Sequence, residues 1–158
     1  MFESLTDFGG IRRTNIIANQ ARDTLARIQE GGGDELPNYR DKLLEQRKTD
    51  PHISHLKLEN EAADFIDRYY KGFGPKQSRN YWQILGLTRY VFVLDSRIQK
   101  WVRQNLQIDN QVVNDGFWYG SLSDLRYYKF LSHLLRELCS EADVLPCVFD
   151  GAVFESMN

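Results

Sequence analysis

The sequence predicts an all-α fold, and three observations carry that expectation. Apolar residues recur at spacings of three and four along most of the chain, the period of a helix with one inward face. Glycine, proline and capping aspartates fall where those stripes start and stop. The β-prone run Tyr90-Val91-Phe92-Val93-Leu94 is five residues between two helical stripes, too few for a sheet of its own. With 158 residues, 42% of them hydrophobic and 13% aromatic, the chain fits one helical domain with a real core, over residues 1–158.

Taken in order, Ile17, Ala21, Leu25 and Ile28 form the first stripe, which ends at Gly31-Gly32-Gly33. A more polar helix follows over about residues 36–47, with Tyr39, Leu43 and Leu44 on its apolar side, until Asp50-Pro51 breaks it. Leu58, Ala62, Phe65, Ile66 and Tyr69 form the next stripe and stop at Gly72. Gly72-Phe73-Gly74 reads as a turn, with Pro75 at a first helical position. The helix it opens carries Tyr81, Trp82, Ile84 and Leu85 and closes at Gly86. Residues 90–94 then form an extended, buried connector. Asp95 caps a helix that turns Ile98, Trp101, Val102 and Leu106 inward. A loop of roughly fifteen residues comes next, a length common in functional loops, with Asp115-Gly116 and Phe117-Trp118-Tyr119. Ser123 and Asp124 open a long helix through Leu131, Leu134, Leu135 and Leu138, and a short helix over residues 146–156 carries Val148, Phe149, Val153 and Phe154.

The formal net charge of −2 argues against a protein that holds nucleic acid by bulk positive charge, and leaves a local basic face open. Cys139 and Cys147 lie outside any CxxC pair and cannot by themselves build a zinc site or an iron–sulfur cluster. A reducing, cytoplasmic location is the default for such a chain. No apolar run approaches a membrane span and no signal peptide opens the sequence, so no membrane partner is expected. His52 and His55 have HxxH spacing but lack carboxylate or cysteine ligands nearby, so no metal is expected. His133 stands alone on a leucine-rich helix.

The chemistry concentrates between Gly72 and Trp101. Lys76 falls in the first turn of one helix, and nineteen positions later Asp95 opens the next. Gly72 and Gly74 permit positive φ and close backbone approach, and a helix N-terminus holds a phosphate without any basic side chain. The helix dipole favours acids where Lys76 stands. A free lysine amine there can attack an electrophilic carbon and form a Schiff base. Asp95 can cap its helix and also partner that amine. Taken singly, these are a helix–helix turn, a surface lysine and an N-cap. Their spacing joins them into a candidate catalytic pair, Lys76 and Asp95. Gly72, Gly74, Gln77, Arg79, Arg97 and Lys100 are the candidate DNA-binding set, with Arg89 as a further basic candidate. Phe117, Trp118 and Tyr119 are candidates to stack a flipped base, or a plug on the core. Trp82 and Trp101 belong to the core.

On these residues the segment resembles the helix-hairpin-helix DNA glycosylase superfamily, closest to the compact archaeal-type 8-oxoguanine DNA glycosylases with AP lyase activity. Tyr70-Lys71-Gly72-Phe73-Gly74-Pro75-Lys76 stands where that family has LPGVGxK, and Leu94-Asp95-Ser96-Arg97 where it has VDxH or IDRH. Gly74 to Gly86 is similar to the family helix GxKxASxFLRNxG, and Pro146-Cys147-Val148-Phe149-Asp150 to its final helix. Arg97 occupies the usual histidine position. The resemblance implies a helix-hairpin-helix glycosylase bundle with a shortened N-terminal lobe, since only about seventy residues precede Gly72. It implies a base-excision enzyme for an oxidised purine, whose partner is double-stranded DNA with a damaged base flipped from the stack. Lys76 would displace the base at the sugar C1′ through a Schiff base, with Asp95 assisting. The hairpin would anchor phosphates, with an alkali cation optional on its backbone carbonyls and no other cofactor. Two alternatives stay open: a non-catalytic helix-hairpin-helix DNA-binding module, and a truncated glycosylase fragment. A homodimer is equally open.

Overall fold

Helices follow the apolar stripes through the residues that a computed structural model describes, namely 14–49, 55–106, 115–120 and 122–156. They are α1 (Thr14–Arg27), α2 (Glu35–Thr49), α3 (Leu56–Tyr69), α4 (Pro75–Ile84), α5 (Ser96–Asn105), α6 (Asp115–Gly120), α7 (Leu125–Glu141) and α8 (Pro146–Ser156). No strand forms among the described residues, so the all-α class holds. A single π turn, Ile28–Gly32, runs on from α1, with Gly31 at φ +87°. His52 and residues 107–114 lie outside the described set.

The helices bury two apolar clusters. The first joins α2, α3 and α4 through Leu43, Ala62, Ala63, Ile66, Tyr70, Trp82 and Leu87. The paired alanines of α3 are fully buried and let a neighbouring backbone come close. The second joins the connector to α5, α6, α7 and α8 through Phe92, Leu94, Ile98, Val102, Trp118, Tyr128, Leu135 and Val153, among others. Two stripes depart from the simple pattern. Ile84 and Leu85 end α4 on its solvent side. Ile28 is exposed in the π turn, and Ile16, Ile17 and Leu25 remain exposed along α1, which buries no residue. That helix is held by polar contacts instead. The Thr24 hydroxyl donates to the Lys71 carbonyl at 3.2 Å, and Gln20 flanks Gly72.

The connector is buried and extended with no ladder to satisfy its backbone, so side chains must do it. Glu59, buried on α3, accepts the amides of Arg89 (2.8 Å), Tyr90 (2.8 Å) and Val91 (3.0 Å). Burial raises the Glu59 pKa above its ordinary value, against the pull of those three amides. On the other side the Tyr128 hydroxyl of α7 donates to the Phe92 carbonyl at 2.8 Å and accepts from the Leu94 amide at 2.7 Å. The Arg89 carbonyl accepts from the Cys147 amide at 3.0 Å. Helices α3, α7 and α8 thus fix the course of the chain into Asp95.

Candidate active site

Asp95 stands at the N-cap of α5 in extended backbone. Its Oδ1 accepts the amides of Arg97 (2.8 Å) and Ile98 (3.2 Å), two donors the first helical turn would otherwise leave unpaired. Its Oδ2 takes the Arg97 guanidinium through Nη2 at 2.6 Å and Nε at 2.9 Å. Burial pushes this carboxyl up, but the Arg97 guanidinium and the Ile98 and Arg97 amides outweigh it and hold its pKa below the usual value. Asp95 is therefore an anion at neutral pH.

Lys76 is the second residue of α4. Gly74 is the N-cap and brings no capping side chain, and Pro75 fills the first position. The ammonium Nζ lies 3.8 Å from Asp95 Oδ2. Arg97 is the closer partner of that oxygen, so the lysine is held near the carboxylate without being locked to it.

The pair faces a cleft of about 320 Å³ between α4, the connector, α5 and α8. Helix α4 contributes Lys76, Asn80 and Gln83, the connector Val93 and Asp95, α5 Arg97, and α8 Asp150, Gly151 and Phe154. Lys76, Asn80 and Gln83 share one helical face by their spacing of four and three. Gln83 Nε2 donates to Asp150 Oδ2 at 3.1 Å. Burial raises the Asp150 carboxyl, and the Asp95 anion adds to the effect, against the Gln83 and Val93 donors. The Arg97 guanidinium lies 3.9 Å from the Phe154 ring centroid. Asn80, Gln83, Asp150 and Phe154 were not read from the sequence as site residues. Helical spacing places the first two beside Lys76, while the last two come to the cleft only through tertiary packing.

The remaining candidates fall in different places. Gly72, at φ +92°, and Gly74 form the turn before Lys76, and Gln77 and Lys100 are exposed. Arg97 is committed to Asp95 rather than directed at a phosphate. Arg79 is a correction. It is 2% exposed, and it donates to the Pro75 carbonyl, Asn60 and Asp64. Its guanidinium packs on the Tyr128 ring, so it joins the two clusters and is not presented to a DNA phosphate beside the hairpin. Phe117 and Trp118 follow the second of their two readings: they are buried in the second cluster, within a short helix over residues 115–120, as a plug on the core rather than faces that stack a base. The Tyr119 side chain lies outside the described residues.

Arg89 uses its backbone to hold the connector. His55 is buried, edge-on to Tyr90. No group of three or more His, Cys, Asp or Glu among the described residues could hold a metal. In the hairpin, the Lys71 carbonyl accepts from the Thr24 hydroxyl. Cys139 and Cys147 are free thiols raised by burial.

No protein-family model matches the chain, and no curated protein or solved structure gives a significant match. No helix among the described residues is long and apolar enough to cross a membrane.

Proposed function

We propose that this chain is a DNA glycosylase of the helix-hairpin-helix type that removes an oxidised purine such as 8-oxoguanine and then nicks the strand. The observation that carries it is the approach of Lys76 Nζ to 3.8 Å from Asp95 Oδ2 within one cleft. The cleft volume lies at the low end for ligand pockets and suits a single nucleobase.

The neutral Lys76 amine adds to C1′ as the bond from C1′ to the base breaks. That electron pair leaves with the base, which takes up a proton. The lysine nitrogen then gives up one proton, O4′ takes up a proton as the C1′–O4′ bond opens, and a protonated imine to C1′ is left as the electron sink for the next step. Loss of a proton from C2′ expels the 3′ phosphate and nicks the strand. Asp95, held anionic, stabilises the positive charge that builds on the sugar and can accept the lysine proton. Asp150, bridged to Gln83, supplies a carboxylate oxygen that can accept a hydrogen bond from a donor on the base. The turn at Gly72 and Gly74 and the uncapped start of α4 offer backbone amides to a phosphate beside the lesion. Gln77 and Lys100 are exposed for further contacts. No step runs through a cation.

Borohydride trapping on duplex DNA carrying 8-oxoguanine or an abasic site tests this. A covalent protein–DNA adduct is expected, and Lys76→Ala should abolish it. Absence of an adduct on every oxidised-purine and abasic duplex, with duplex binding intact, would leave a non-catalytic DNA-binding module in its place.

A further inference from the structure

A second cavity, of about 180 Å³, opens between α3, α4, the connector and α7, away from the Lys76–Asp95 pair. Its polar lining is Asn60, Arg79, Lys129, Ser132 and Arg136, and no carboxylate lines it. Lys129, Ser132 and Arg136 follow one another by three and four along α7, so one face of that helix presents all three.

The occupancy of these groups is uneven. Arg79 and Lys129 share Asp64, at 3.0 and 2.7 Å, and Asp67 is near enough to feel both cations. Ser132 is 4% exposed, yet its hydroxyl has no hydrogen-bond partner among the described residues. Arg136 is half-buried and makes no ion pair among the described residues. Burial disfavours its cation and Arg79 repels it, against the neighbouring Glu137. A water molecule can satisfy a buried hydroxyl. It leaves a partly desolvated guanidinium without an ion-pair partner among the described residues, which costs more than an unmade neutral hydrogen bond. An oxyanion meets both demands, since a guanidinium forks onto two oxygens and a third oxygen can accept from a hydroxyl.

We propose that this cavity binds a phosphate group, held by the Arg136 guanidinium, the Lys129 ammonium and the Ser132 hydroxyl. Arg79, fixed by Asn60 and Asp64, adds to the positive field without giving up its own partners. The site stands independently of the glycosylase proposal, because it uses neither Lys76 nor Asp95. Free phosphate and a phosphate of the DNA backbone share the chemistry, and the experiment separates them.

The full chain is unfolded by heat in inorganic phosphate and in chloride at matched ionic strength and pH. Phosphate should raise the midpoint with concentration, as a ligand of the native state does, and chloride should not. Arg136→Gln and Ser132→Ala should each weaken phosphate about tenfold or more, the usual effect of losing one hydrogen bond to a charged group. Lys129→Gln, on the exposed rim, gives a third variant should either of the others fail to fold. Absence of a phosphate-specific rise in the natural chain overturns the proposal, as does a rise that persists unchanged in every folded variant. Fluorescence anisotropy with a labelled undamaged duplex then assigns the source. Competition by phosphate, with duplex binding weakened in Arg136→Gln, supports a backbone phosphate. Unchanged duplex affinity alongside phosphate binding supports a free one.

Discussion

Asp95 does two jobs with two oxygens, and substitution can separate them. Oδ1 caps α5, while Oδ2 carries the charge seen by Arg97 and Lys76. Asparagine caps nearly as well as aspartate, so Asp95→Asn should keep most of the stability while slowing borohydride trapping by about a hundredfold. Asp95→Ala should slow trapping as much and also cost about 1 kcal/mol in urea unfolding. Equal stability loss in both variants would mean that the charge, not the cap, holds the helix start. The two cleft acids also differ in sign. The lowered folded pKa of Asp95 gives stabilisation that is full above its unfolded value of about 3.9 and lost as pH falls through the folded one. Asp150 is raised, so its contribution is full below that unfolded value and lost as pH rises through the folded one. Asp150→Asn should therefore flatten the stability profile above pH 4 and leave the chain at least as stable as the natural one at pH 7. Urea midpoints taken at intervals from pH 4 to 7 read this directly.

The connector is the element on which the site depends, because a strand-like segment without a sheet survives only if side chains pair its backbone. Glu59→Gln turns one acceptor oxygen into a donor that faces an amide donor. Tyr128→Phe strands the Phe92 carbonyl and the Leu94 amide. Each should cost about 1–3 kcal/mol in urea unfolding and slow trapping as well, since the connector sets the position of Asp95. The hairpin has its own constraint. Gly72 holds φ +92°, and a Cβ there would stand 3.0 Å from Gln20 Oε1, so Gly72→Ala should cost about 1–2 kcal/mol. Helix positions were legible in the sequence because period, glycine stops and aspartate caps are local signals. The connector was legible as an apolar run between two helices. Its clamps were not, since Glu59 and Tyr128 lie thirty or more positions away. Arg79 shows a signal present but misjudged. Pro75, Ser78, Arg79 and Trp82 form one buried helical face by spacing, and charge alone suggested that Arg79 was outside. Phe117 and Trp118 left two readings open, because a run of three aromatics serves a core as well as a base, and only their packing decided for the core.

At the scale of the whole molecule, the question is how a chain of net charge −2 would hold a polyanion. Most site cations are already matched among the described residues. Arg97 and Lys76 face Asp95, and Arg79 and Lys129 share Asp64. Backbone amides at the Gly72–Gly74 turn and the α4 N-terminus carry no net charge, so a phosphate bound there releases few counterions. The salt dependence of DNA binding counts those counterions, with log K falling about 0.9 per neutralised phosphate for each decade of salt. An interface built on the hairpin should therefore give a shallow slope, about −2 to −3, between 50 and 200 mM salt. Lys76→Ala should leave that slope nearly unchanged, because the lysine addresses the sugar rather than a phosphate. A slope of about −6 or steeper would place DNA on a broad basic surface and take the hairpin out of the interface. Anisotropy titrations of an abasic-site duplex across that salt range decide between the two, and they do so whether or not the strand is nicked.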